Sequence, residues 1–123
     1  METIKTNVYI IKNGAGGLSI AAGAVQMGAS VALIEGHKMG GDCLNFGCVP
    51  SKALLAAGKA AHAMGAGAAL GIAPHNPEID FAVAKDHVAK AIATIEPHDS
   101  QERFEGLGVD VIRDWGKFVS KTE

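Results

Sequence analysis

Both cysteines of the chain, Cys43 and Cys48, fall in one short stretch, Gly40-Gly41-Asp42-Cys43-Leu44-Asn45-Phe46-Gly47-Cys48-Val49-Pro50-Ser51-Lys52. Two thiols this close can close into a small disulfide ring and reopen. Pro50-Ser51-Lys52 is composed to open a helix, and a cysteine near a helix N-terminus has its thiolate favoured by the dipole and the free N–H groups. The pair therefore reads first as a redox switch. Two plainer readings stand beside it: buried small apolar side chains, or half of a metal site. Zinc would need two further ligands, and none is grouped nearby; His37, the nearest histidine, reads as a solvated loop residue. No metal site is expected.

A second chemical feature lies just upstream. A dinucleotide fingerprint places Gly-x-Gly-x-x-Gly directly after a strand and an acid at the end of the next strand. The first glycine makes the tight turn, the second admits the pyrophosphate, and the third lets helix and sheet pack closely. Here Lys12-Asn13-Gly14-Ala15-Gly16-Gly17 keeps the second and third glycines and has lysine in place of the first. The slipped register Gly14-Ala15-Gly16-Gly17-Leu18-Ser19 keeps the first two and loses the third. Spacing favours the former, because Glu35 then stands about 20 residues on, where a ribose-binding acid belongs. A side chain at position 12 is expected to strain the turn or crowd the pyrophosphate, although its cation could also meet the phosphates. The alternative is a glycine-rich turn without a ligand.

The surrounding elements must position these groups. Asn7 to Ile11, with Val8, Tyr9, Ile10 and Ile11, is a short β-branched and apolar run suited to a buried parallel strand. Leu18 to Met27 reads as a small-residue helix ended by Gly28, and Val31 to Ile34 as a second strand closing on Glu35. Together they make a βαβ unit. Val49 to Met64 predicts a helix, Gly65 to Gly71 a turn or mobile loop, and Pro74 and Pro77 an exposed stretch. Phe81 to Ile95 predicts an amphipathic helix with Val88, Ile92 and Ile95 on one face. Pro97 should break it, with Asp99 and Glu102 capping a short helix beyond. Val109 to Ile112 predicts a third strand and Trp115 to Val119 a further one. Trp115 and Phe118 read as core or interface rather than as a stacking platform, and His62, His75, His87 and His98 as surface residues.

The 123 residues suffice for one domain, with 48% hydrophobic and 20% charged residues, ordinary for a soluble globular protein. Glycine is enriched, at 16 residues. A formal net charge of −2 and the lack of a basic run exclude a nucleic-acid partner as the leading reading. No apolar run approaches a membrane span and no secretory signal is visible, so a cytoplasmic protein is expected. In that compartment a close cysteine pair is more often redox-active or metal-binding than a structural staple.

With strand, glycine turn, Glu35 and cysteine stretch in this order, the chain resembles the N-terminal FAD-binding part of the class I flavin-dependent pyridine nucleotide-disulfide oxidoreductases. That family includes dihydrolipoamide dehydrogenase, mercuric reductase and glutathione reductase. Ile95-Glu96-Pro97-His98-Asp99-Ser100, Glu102-Arg103-Phe104 and Gly106-Leu107-Gly108-Val109 look closest to the mercuric-reductase-like branch. The resemblance implies a partial doubly wound, Rossmann-like α/β fold with a parallel sheet and flanking helices. It implies that Gly14, Gly16, Gly17, Gly41 and Asp42 border the FAD phosphates and that Glu35 binds the adenosine ribose. Cys48 matches the flavin-proximal cysteine, which forms a charge-transfer thiolate and a transient flavin adduct. Cys43 matches the interchange thiol, which attacks a disulfide or binds a metal-ion substrate. Lys52 matches a lysine near the flavin ring. In the whole enzyme, hydride from NAD(P)H reaches FAD, then the Cys43–Cys48 disulfide, then substrate.

Asp42 stands where many relatives have threonine, which adds a negative charge near phosphates and thiols. Residues 1–123 are expected to be the N-terminal portion of an FAD-binding domain. The family's NAD(P) domain and its dimerisation domain, with its His-Glu acid–base pair, lie outside this sequence. A complete hydride relay cannot be assembled from these residues. Two other readings stay open: a stand-alone, non-catalytic homo-oligomer covering its incomplete sheet with a neighbour's strands, and a flavin-free dithiol protein.

Overall fold

The computed structural model describes residues 3–123. A three-stranded parallel sheet in the order β1-β2-β3 organises it, with β1 at Val8–Ile11, β2 at Val31–Ile34 and β3 at Asp110–Ile112. Val8 pairs with Val31 and Ile11 with Ile34, while Ala32 pairs with Asp110 and Ile34 with Ile112. The central strand is the most apolar and the most buried: Val31, Ala32 and Leu33 are all inaccessible. Helix α1, Ala15–Gln26, joins β1 to β2, so the expected βαβ unit forms. It starts before the expected Leu18 because Gly14 serves as its extended N-cap, and Gly28 ends the crossover turn at φ 87°.

The core lies between α1, the sheet and α5 (Gln101–Gly106), where Ile10, Leu18, Ala21, Val31, Leu33, Phe104 and Val109 cluster. Helices α2 (Gly41–Asn45), α3 (Cys48–Gly65) and α4 (Phe81–Ile95) follow the second strand, and α3 packs on α4. Asp80 caps α4 by accepting from the backbone N–H groups of Ala82 and Val83 at 2.9 and 3.2 Å. The expected stripe is only half-covered: Val88 and Ile92 are partly buried, while Ile95 is 37% exposed.

Several local expectations change. The Gly65–Gly71 stretch contains a 3₁₀ turn at Ala68–Leu70. Pro97 ends α4 through a second such turn at Glu96–Asp99, and the cap of α5 is Ser100, whose hydroxyl accepts from the Arg103 N–H at 3.3 Å, rather than Asp99 or Glu102. No strand forms over Trp115 to Val119. Asp114 turns the chain there by accepting from the Trp115 N–H at 2.7 Å, and the segment runs across the sheet face instead of adding to an edge. A Cβ at Gly116 would lie 3.0 Å from the Ile34 side chain, which shows how closely it is pressed on that face.

Candidate functional site

The turn after β1 gives each position of its fingerprint a distinct task. Lys12 continues the ladder by donating its N–H to the Ile34 carbonyl at 2.9 Å, then turns the chain at φ 74°. Among the described residues it is the one non-glycine side chain at positive φ, at the position where the fingerprint calls for glycine. At Gly17 a Cβ would stand 2.5 Å from the Lys12 carbonyl oxygen, so only glycine lets α1 approach the strand end. At Gly14 a Cβ would meet nothing within 4 Å; it would project into open space. These tasks fit the register Lys12-x-Gly14-x-x-Gly17. Gly16 likewise faces no neighbour, within the first turn of α1.

Glu35 sits at the C-terminal end of β2, 5% exposed. Its Oε2 accepts from the Asn13 backbone N–H at 2.9 Å and its Oε1 from the His37 N–H at 2.7 Å. With the Asn13 amide oriented to suit its neighbours, that side chain donates to Glu35 Oε2 at 2.7 Å and to the Lys38 carbonyl at 3.2 Å. A carboxylate offers about four acceptor positions. Three donors therefore hold this buried charge against the glycine turn and leave room for one more hydroxyl. Asn13, wholly buried, is a site residue that the fingerprint treats as an arbitrary spacer.

The cysteine segment docks directly on this turn. Gly40 and Gly41 both take positive φ, 85° and 57°, and a Cβ at Gly41 would lie 2.8 Å from the Gly14 Cα. That close approach brings Asp42 and Cys43, on α2, to the mouth of the turn. Sequence reading missed α2 because five residues are too few to show a helical period. Lys12, Gly14, Glu35, Gly41, Asp42, Cys43 and Trp115 line one cleft of about 420 Å³, together with Ala15, His37 and Lys38. Cys48, Lys52, Gly16 and Gly17 lie outside that lining.

Cys48 is the first residue of α3 and exposed, and Cys43 is half-buried; both are free thiols. A side-chain hydrogen bond with Cys48, then burial, then the Cys48 charge push the Cys43 thiol above its ordinary value; a backbone hydrogen bond from Cys48 acts in the opposite sense. The more distant Asp99 carboxylate adds a little in the raising direction. The Cys43 thiol thus keeps its proton to higher pH than an ordinary cysteine. Lys52 is exposed one turn along α3 from Cys48. Among the described residues, no cluster of three His, Cys, Asp or Glu side chains could hold a metal ion, and no helix is long and apolar enough to cross a membrane.

Residues 6–123 match the family described as pyridine nucleotide-disulphide oxidoreductase. The chain belongs to this family. A dihydrolipoyl dehydrogenase of Pseudomonas aeruginosa is 35% identical over 130 residues, covering 96% of this chain and 26% of that protein. A mercuric reductase of Lysinibacillus sphaericus is 33% identical over 113 residues, covering 92% and 21%. Both kinds of enzyme thus stand among the relatives of this chain, which spans about a quarter of their length or less. The fold matches a copper(II) complex of the HOCl-induced flavoprotein disulfide reductase RclA from Escherichia coli. That match has a TM-score of 0.71 and 23% identity, over 93% of this chain and 23% of the other.

Proposed function

We propose that this chain is the FAD-binding and dithiol-bearing segment of a flavoprotein oxidoreductase in which Cys43 and Cys48 cycle between dithiol and disulfide. The observation that carries this reading is the shared cleft: Cys43 lines the same space as Gly14 and Glu35, and Cys48 follows it five residues on, at the start of α3. The residues fit a dinucleotide. Gly14 leaves open the volume a Cβ would fill, Glu35 keeps an acceptor position, and Gly41 lets backbone approach backbone beside the turn. In this reading Gly14, Gly16, Gly17, Gly41 and Asp42 border the pyrophosphate, Glu35 takes the ribose, and Lys52 stands toward the flavin ring. What a bound FAD supplies is two-electron transfer between NAD(P)H and the disulfide.

The protein's own part is thiol exchange. Cys43, deprotonated as it attacks, bonds to one sulfur of a substrate disulfide and releases the first thiol. Cys48 then attacks the Cys43 sulfur of the mixed disulfide, releases the second thiol and closes the Cys43–Cys48 bridge. Substrate gains two electrons and two protons; the cysteine pair loses the same. A thiophilic metal ion is the other substrate class this pair suits, bound by the Cys43 thiolate.

Titration with FAD, followed by thiol counting before and after mild oxidation, tests the reading. Saturable flavin binding with two thiols lost together supports it; a protein that takes no flavin, or whose thiols oxidise independently, overturns it. The apolar groove of Phe46, Pro50, Leu54, Phe81 and Val88 favours one further reading, a homo-oligomer joined through α3 and α4. Sedimentation at several concentrations decides that point.

A further inference from the structure

Trp115 is the sole tryptophan of the chain and is 70% exposed, although it is the largest apolar side chain present. It is neither core nor sheet, which overturns those two of the expectations drawn from its sequence. Its indole lies on Gly36: a Cβ there would meet Cδ2, Cε2 and Cγ of the ring at 2.5, 2.6 and 2.7 Å. The seat exists only because residue 36 has no side chain. The backbone beneath is held by the Asp114 turn and by Gly116 against Ile34, and the Arg113 guanidinium reaches the His37 carbonyl, tying the end of β3 to the loop after β2. The ring also lines the cleft with Gly14 and Glu35, so an aromatic plate stands one residue beyond the acid assigned to the ribose.

A ribose held at Glu35 carries its base a single bond away, and this indole is the large flat apolar side chain in the lining of the same cleft. We propose that Trp115 is the stacking wall for the purine base of the bound dinucleotide and selects purine over pyrimidine nucleotides at this cleft. The inference rests on the nucleotide-binding reading above. Base–aromatic stacking is worth about 1–3 kcal/mol per base, and a purine offers the wider face.

ADP is the probe, because it carries base, ribose and pyrophosphate without the flavin. On the parent protein, ADP should change Trp115 emission saturably, UDP should bind about tenfold more weakly, and inorganic pyrophosphate should leave the emission unchanged. Trp115→Leu should weaken ADP about tenfold or more by equilibrium dialysis, with Trp115→Phe retaining most of the affinity. Gly36→Ala, which pushes the flexible indole off its seat without touching Glu35, should weaken ADP as well and provides a second, independent variant. ADP that binds without moving Trp115 emission, or equally well to Trp115→Leu, overturns the stacking role alone. If neither ADP nor FAD binds the parent protein, the nucleotide reading and this inference both fall.

Discussion

Replacing Lys12 by glycine should stabilise the protein relative to replacing it by alanine, although both remove the same charge and the same contacts. At φ 74° a residue with a Cβ occupies the left-handed region, which costs an L-residue roughly 1–2 kcal/mol. Glycine escapes that cost but carries extra freedom in the unfolded chain, which offsets about 0.4–1 kcal/mol. Taking the middle of each range, the net advantage of Lys12→Gly over Lys12→Ala is therefore about 0.8 kcal/mol. With a urea slope of about 1.5 kcal/mol/M, the midpoint should separate by roughly 0.5 M. Equilibrium urea unfolding followed by far-UV circular dichroism measures it, and using two neutral variants removes the electrostatic ambiguity. If Lys12→Ala is as stable as Lys12→Gly, or more so, position 12 is ordinary strand. The fingerprint register built on it would then be wrong.

The two neighbouring glycines should respond oppositely. Gly17→Ala, whose Cβ collides with the Lys12 carbonyl, should cost about 1–3 kcal/mol in unfolding experiments. Gly14→Ala meets open space, so it should change stability by less than about 1 kcal/mol yet weaken FAD or ADP binding at least tenfold in a titration. Glu35→Gln should destabilise by about 1–3 kcal/mol even without ligand, because one oxygen that accepts an N–H becomes an amide facing it. Asp99 has its carboxyl raised by burial, against the opposing pull of Arg103 and His98. Between the ordinary carboxylate value and the raised one, the native state binds more protons than the unfolded chain, so stability falls as pH rises through that window. Asp99→Asn should therefore unfold at higher urea than the parent at neutral pH, and this gap should shrink at about pH 3, where the parent carboxyl is protonated in both states.

The βαβ unit was legible because its signals are local and redundant: a β-branched run, a glycine turn, small residues, a second apolar run and an acid. The closeness of Cys43 and Cys48 was legible too, since both stand in one short stretch, which folds as the adjoining helices α2 and α3. What escaped the sequence depends on contacts across the chain. Asn13 counts as a spacer until Glu35 folds back to it from 22 residues away. Trp115 reads as core or interface because tryptophan is usually covered, and only the bare backbone of Gly36 gives it a seat in the cleft. The strand expected at Trp115 to Val119 failed because Asp114 turns the chain locally, a competition that apolar pattern alone does not reveal. The cap of α5 fell to Ser100 because its hydroxyl, not a carboxylate, lies within reach of the Arg103 N–H.

The most direct test is a redox titration of the FAD-loaded protein in which flavin absorbance and free thiols are recorded together at each step. Coupled redox chemistry predicts that Cys43 and Cys48 lose both thiols as one two-electron event and that a long-wavelength flavin band develops on reduction, absent in Cys48→Ser. Thiols that titrate separately, with a flavin spectrum indifferent to Cys48, would contradict it.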